Sequence, residues 1–269
     1  MIVLSEISSD RKNCKTKEII MGKSVSQILD MIRENNIQMV DFKMVDINGQ
    51  YRHVTIPAQN FSEDTMKSGV GFDASNYGYA VVEKSDMVFI PDPDTAVIDP
   101  FCTVPTLSMT GNAMIIDTPQ NRPLPQYPRN IVRAAVQYMQ DCGVADTMKI
   151  LPEFEFYLFD QVGWQVSGRE ISAFVDARQS YWNSATEGLG VIVPKQKNYH
   201  IAKPFDTSYE CRSEMCMHML DAGIEINYHH PEVAASGQFE IEPQLGEMVH
   251  MADATMMIKY IIHNTALKY

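Results

Sequence analysis

Read as a string of apolar and polar positions, the chain becomes periodic only after its first two dozen residues. In SVSQILDMIREN, residues 24–35, Val25, Ile28, Leu29 and Ile32 fall on one stripe at helical spacing, with Ser24 placed to cap the helix. The period then drops to two. In QMVDFKMV the residues Val40, Phe42 and Met44 share a face, Asn48-Gly49 supplies a turn pair, and YRHVTI runs back, which predicts a hairpin. SDMVFIPD, TAVID and NAMIID read as further short strands. This half is expected to be α+β around a mostly antiparallel sheet.

Residues 119–128, PQNRPLPQYP, carry Pro119, Pro123, Pro125 and Pro128 and read as a linker or stiff crossover. Pro128 then opens a helix over RNIVRAAVQYMQDCG, and LPEFEFYLF reads as a strand. A second helix covers SYECRSEMCMHMLDAG, with Gly223 placed to end it, and IEINYHH and GQFEIEP are two more strands. The last segment keeps a 3.6-residue period through Met248, Met251, Ala252, Thr255, Ile258, Ile262 and Ala266. It shows no Gly, Pro or polar stop, so the residues are expected to be the N-terminal part of something longer. Its apolar stripe is expected to be exposed and to favour aggregation of the isolated piece. The expected organisation is a loose extension over 1–23 that is no signal peptide, a first domain over 24–118, the linker, and a second domain over 129–269.

Composition narrows this picture. The 269 residues are 45% apolar and 21% charged, ordinary values for one large or two medium globular domains. No run approaches the roughly 18 apolar residues of a membrane helix, so no membrane partner is expected. Acids outnumber bases 34 to 22, a balance that argues against nucleic-acid binding and suits solubility or attraction of cations. Cys14, Cys102, Cys142, Cys211 and Cys216 are scattered, Cys211 and Cys216 lack a second pair to complete a zinc set, and reduced thiols in a cytoplasmic protein are the expectation. The 18 methionines read as adaptable core filler. Gly69, Gly71, Gly78 and the Gly188-Leu189-Gly190 stretch have no strand-to-helix context that would make a phosphate loop.

The chemistry concentrates in two clusters. Glu153 and Glu155 lie two apart in a strand, on one face, with Phe154 and Phe156 on the other. Buried unpaired, they would cost several kcal/mol each, so either a hard divalent cation with oxygen ligands sits between them or this is an edge strand with a wet acidic face. HHPEVAASGQFEIE holds His229, His230, Glu232, Glu240 and Glu242, and Gly237 leads into a strand where Glu240 and Glu242 face one way and Phe239 and Ile241 the other. Two strands with acids on one face suggest a shared metal site. The His229-His230 pair adds little to that, because a histidine beside a strand is more often a core or surface residue than a ligand.

LPEFEFYLFD followed further on by HHPEVAASGQFE resembles the catalytic domain of type I glutamine synthetases. DFKMVDINGQYRHVTIP, SDMVFIPDPDTAVIDPF, the CRSEMC helix and the IKYIIHNTA helix extend the likeness over residues 24–269 in the same order. The resemblance implies a β-grasp N-terminal domain followed by part of an α+β catalytic domain. It implies a homo-oligomer of two stacked hexameric rings, with each active site shared between subunits. Its substrates would be glutamate, ammonium and ATP, and Mg²⁺ or Mn²⁺ its cofactor at two positions. Residue by residue, Glu155, Glu232 and Glu240 match the carboxylates of the first metal, and Glu153 matches a ligand of the second. Asp73 matches the acid that a neighbouring subunit contributes to bind ammonium and accept its proton, while Glu242 falls outside the site.

Three departures accompany the likeness. Phe72-Asp73-Ala74-Ser75-Asn76 stands where the family reads F-D-G-S-S, which bears on the amine bound. Asn227 stands where a glutamate is usual. The family's histidine-bearing loop, phosphate-binding arginines and last metal glutamate have no counterpart in residues 1–269, so these residues alone are expected not to make glutamine. A non-catalytic assembly or regulatory module, and a glutamate ligase acting on another amine, are the competing readings.

Overall fold

In the computed structural model, residues 2–4, 22–183, 192–234 and 236–269 are described. Cys14, most of the expected N-terminal extension, and Gly188-Leu189-Gly190 lie outside the described residues. The chain divides into two units, Met1–Ile150 with Gly246–Met256, and Leu151–Leu245 with Met257–Tyr269.

The first unit begins with β1 (Ile2–Leu4) and α1 (Val25–Glu34). Ser24 caps α1 through a reciprocal box: its hydroxyl accepts from the Gln27 N–H, and the Gln27 side chain accepts from the Ser24 N–H at 2.7 Å. The predicted hairpin follows as β2 (Met39–Val45) and β3 (Tyr51–Pro57). Its connection is braced by Asp46, whose carboxylate accepts from the N–H groups of Asn48 and Gln50, while Gly49 takes φ +75°. Then come α2 (Glu63–Ser68), β4 (Val70–Asp73), β5 (Asp86–Pro91), β6 (Val97–Ile98), β7 (Thr106–Met109), β8 (Gly111–Ile115), β9 (Arg122–Pro123), α3 (Pro128–Asp141) and β10 (Met148–Ile150).

The eight strands β2 to β9 form two four-stranded sheets, ordered β3-β2-β7-β6 and β4-β5-β8-β9, in which only the β2–β7 pairing is parallel, while β1 pairs with β10. Apolar faces of both contribute to one core in which Phe42 packs against Phe61 and Phe89 at ring distances of 6.4 and 6.3 Å. Within the proline-rich stretch β9 adds an edge strand to β8, and Leu124 and Tyr127 are buried in this core.

Alternation predicts one buried face for β2, yet both are buried, because the second holds a closed ionic cluster. The Lys43 ammonium lies 2.6 Å from Asp41 and 3.0 Å from Asp99, and donates to Ser108. His53 and Thr55 complete the shell of Asp41. Burial alone would raise the Asp41 carboxyl pKa, but the Lys43 charge and hydrogen bonds outweigh it and hold the carboxyl below its ordinary range.

The second unit contains β11 (Phe154–Tyr157), β12 (Gln161–Val166), β13 (Ile171–Asp176), α4 (Tyr209–Asp221), β14 (Ile226–Pro231) and β15 (Gln238–Pro243). β12 and β13 make a separate hairpin, and β11-β15-β14 an antiparallel sheet. Gly223, at φ +78°, ends α4 as expected. α4 packs on β14, and the buried Arg212 of α4 stacks over Phe239 of β15, 4.4 Å from its ring, while pairing bidentately with Asp206.

β16 (Gly246–Glu247) returns to pair with β10 in the first unit, and α5 (Met248–Lys268) follows. The expected exposure of its apolar stripe is not observed: Met251, Ala254, Ile258, Ile261, Ile262 and Thr265 are buried. The buried side is rotated slightly from the predicted stripe, because Ala254 and Thr265 replace Ala252 and Ala266 on it. Among the described residues no helix is long and apolar enough to cross a membrane.

Replacing Lys43 by Met strands Asp41 and Asp99, so the variant should lose about 3–5 kcal/mol by chemical denaturation at pH 7. Because the folded Asp41 pKa is depressed, its contribution is complete above the unfolded value and disappears as pH falls through the lower folded one. The wild-type midpoint should therefore drop below about pH 4. A variant within about 1 kcal/mol of wild type would contradict this account.

Candidate metal centre

The acids converge because of strand register. Glu155 of β11 lies directly opposite Glu240 of β15, and Glu240 lies directly opposite His230 of β14. Glu232 follows β14 by one residue and shares the parity of His230. The turn that carries Glu232 is pinned at both ends: its N–H donates to the Gln238 carbonyl at 2.8 Å, and the buried Asn198 amide donates to the carbonyls of Glu232 and Gln238. Gly237, at φ +86°, closes it, and a Cβ there would stand 2.9 Å from the Leu158 carbonyl oxygen. That close approach lets β15 start alongside β11.

One nitrogen of His230 and one oxygen each of Glu232 and Glu240 lie within 4.8 Å of one another. His230 Nδ1 is 3.5 Å from Glu232 and Nε2 is 3.7 Å from Glu240. Glu232 and Glu240 are buried, and among the described residues no lysine or arginine pairs with either. Glu153 and Glu155 are exposed, since β11 is an edge strand and Glu153 stands just ahead of it. The pair is thus not buried unpaired in the strand, and its wet side leads to the buried acids. The Gln238 amide donates to Glu155 at 2.6 Å and fixes its carboxylate. Burial, then Glu232, then the charges of Glu153 and Glu155 push the Glu240 carboxyl up to about 7.

Glu242 is committed elsewhere, accepting hydrogen bonds from the Asn227 amide at 3.0 Å and from the Tyr228 hydroxyl. His229 points to the other face, where its ring nitrogens meet Arg212 and Ser213 of α4 at 3.3 Å. Burial and the Arg212 charge lower its pKa. The histidine pair is therefore split: His229 supports the helix and His230 joins the acids. Sequence reasoning gave His230 little weight and passed over Gln238. The signal for His230 was its parity with Glu232.

Asp73 belongs to the first unit, at the end of β4. Its Oδ1 accepts from the N–H and hydroxyl of Ser75 at 2.9 and 2.7 Å, and its Oδ2 accepts from Asn76 at 3.2 Å. The Ser75 hydrogen bonds hold this exposed carboxyl below its usual range. Ala74 is fully buried.

Buried carboxylates in mutual repulsion, with an imidazole at their edge and no lysine or arginine partner among the described residues, fit a divalent cation. A carboxyl raised above its unfolded value lowers stability as pH climbs from about 4.5 through about 7. A cation competes with that proton. At equal concentration, Mn²⁺ should therefore raise the melting temperature more at pH 8 than at pH 6, and Glu240→Gln should largely abolish the difference. Equal shifts at both pH values in the wild type would contradict the site.

The family model "Glutamine synthetase, catalytic domain" matches residues 125–269, and "Glutamine synthetase, beta-Grasp domain" matches residues 36–115. The 3-hydroxylaminophenol mutase of Cupriavidus pinatubonensis is 35% identical over 93% of this chain and 54% of its own length. The glutamine synthetase of Aquifex aeolicus is 36% identical over 90% of this chain and 52% of its own. The chain spans about half the length of these curated relatives. A cryo-EM structure of Plasmodium falciparum glutamine synthetase superposes with a TM-score of 0.79 at 22% identity, over 91% of this chain and 49% of that one, a likeness of fold alone. With a β-grasp domain followed by the catalytic-domain sheet that carries the acid row, the chain belongs to the glutamine synthetase family.

Proposed function

We propose that the protein ligates ammonia to the side-chain carboxylate of glutamate at the expense of ATP, giving glutamine, ADP and phosphate. The observation that carries this reading is the Glu155–Glu240–His230 row with Glu232 beside it. In this reading Glu155, Glu232 and Glu240 hold the cation nearer glutamate, and Glu153 helps hold the one nearer the ATP phosphates. Mg²⁺ or Mn²⁺ at these positions supplies Lewis-acid neutralisation of phosphate and carboxylate charge.

The chain's own groups do the rest of the work assigned to them. Gln238 holds the Glu155 carboxylate through the hydrogen bond donated by its amide. Asp73, contributed by a neighbouring copy, holds the ammonium ion. The Ser75 hydrogen bonds that keep it ionised suit a cation site better than a strong base. The same resemblance supports a cytoplasmic homo-oligomer of two hexameric rings.

The test is an ATP-dependent glutamine assay on the intact protein purified from its native cell, with ammonium as the amine. Glutamine should form, and Glu240→Gln should reduce the rate by at least about 100-fold. Residues 1–269 expressed alone should give none. An intact protein that binds divalent cations and makes no glutamine would overturn this reading, and steady synthesis by residues 1–269 would overturn the expectation that these residues alone are inactive.

A further inference from the structure

The family resemblance assigns only carboxylates to the first metal, but the imidazole of His230 is oriented as a ligand as well. Its Nδ1 lies 3.1 Å from the carbonyl oxygen of Pro231. A carbonyl can only accept, so Nδ1 carries the hydrogen, and in the neutral ring Nε2 is left with a lone pair. That lone pair faces the Glu240 carboxylate across 3.7 Å, too far for a direct hydrogen bond. Two electron-rich atoms turned toward each other over such a gap call for a positive centre between them. A histidine whose second nitrogen is tied to a backbone carbonyl is the usual arrangement of a metal-ligating imidazole.

The spacing agrees. One ring nitrogen of His230 and one oxygen each of Glu232 and Glu240 lie within 4.8 Å of one another. Two ligand atoms on one ion with bonds of about 2.2 Å lie about 3.1 Å apart when cis and about 4.4 Å apart when trans, a range that includes the 3.7 Å from Nε2 to Glu240. The half-buried ring of His230 also lines a cavity of about 700 Å³ shared with Tyr199, His200 and Tyr228.

Resting on the metal reading above, we infer that His230 donates Nε2 to the cation held by Glu232 and Glu240, making a mixed nitrogen–oxygen site that favours Mn²⁺ and similar transition-metal dications over Mg²⁺. Oxygen-only sets suit Mg²⁺, whereas imidazole nitrogen shifts preference along the first transition row. His229, engaged with Arg212 and Ser213, is the built-in control. His200, whose ring centroid is 4.4 Å from that of His230, is the competing nitrogen source.

The experiment is pulsed EPR of Mn²⁺ bound to the intact protein, with Mg²⁺ competition followed by the free Mn²⁺ signal. The wild-type spectrum should show nitrogen modulation from a directly bound imidazole. It should persist in His229→Asn and His200→Asn and vanish in His230→Asn and His230→Gln. Those two variants should also lose at least tenfold of the preference for Mn²⁺ over Mg²⁺. Mn²⁺ bound without nitrogen modulation, or modulation that survives in the His230 variants, would overturn this inference and leave the carboxylate site standing. No Mn²⁺ binding by the wild type would overturn both. The wild-type spectrum needs no variant, so a misfolded substitution does not shield the proposal.

Discussion

Negative charge gathered at one end of a short sheet is the constraint on which the second unit depends. Glu155 sits directly across from Glu240, like charges on adjacent strands repel, and Glu232 closes the group from the turn. A sequence selected for stability alone would place apolar or oppositely charged residues at such positions. The unit instead holds them there by rigid means: Asn198 clamps the turn, Gly237 admits the close approach of β15 to β11, and Arg212 with Phe239 anchors α4 on the sheet. In the reading proposed above, binding energy from a cation would compensate for this repulsion.

The first unit resolves buried charge in the opposite way. Lys43 stands between Asp41 and Asp99, so each of these buried carboxylates has a cationic partner. Comparing the two shows why one reads as architecture and the other as a site. A lysine lowers the Asp41 pKa, whereas neighbouring carboxylates and burial raise that of Glu240. Asp73 is a third case, an exposed acid held below its usual range by hydrogen bonds from Ser75.

Much of this was legible in the sequence where local rules decide. The Ser24 cap, the β2–β3 hairpin, the Pro128 helix start and the Gly223 stop follow from residue identity and spacing. The parity of Glu153 with Glu155, and of Glu240 with Glu242, also follows from a period of two. What the sequence withheld depends on register and partners. Glu242 shares parity with Glu240 but is drawn off by Asn227 and Tyr228, a fact set by the residue across the ladder. His230 looked ordinary until register put it opposite Glu240. β2 looked half-polar because Asp99 and Ser108, which complete the shell of the buried Lys43 ammonium, arrive from distant segments. β4 and β7 are four-residue strands, too short for a pattern to emerge.

The central claim is that the acid row exists to hold a divalent cation, and anomalous diffraction from crystals of the intact protein grown with Mn²⁺ tests it most directly. The account predicts an anomalous peak within about 2.2 Å of oxygens from Glu155, Glu232 and Glu240. Crystals that show Mn²⁺ elsewhere on the protein and none among these three carboxylates would contradict it.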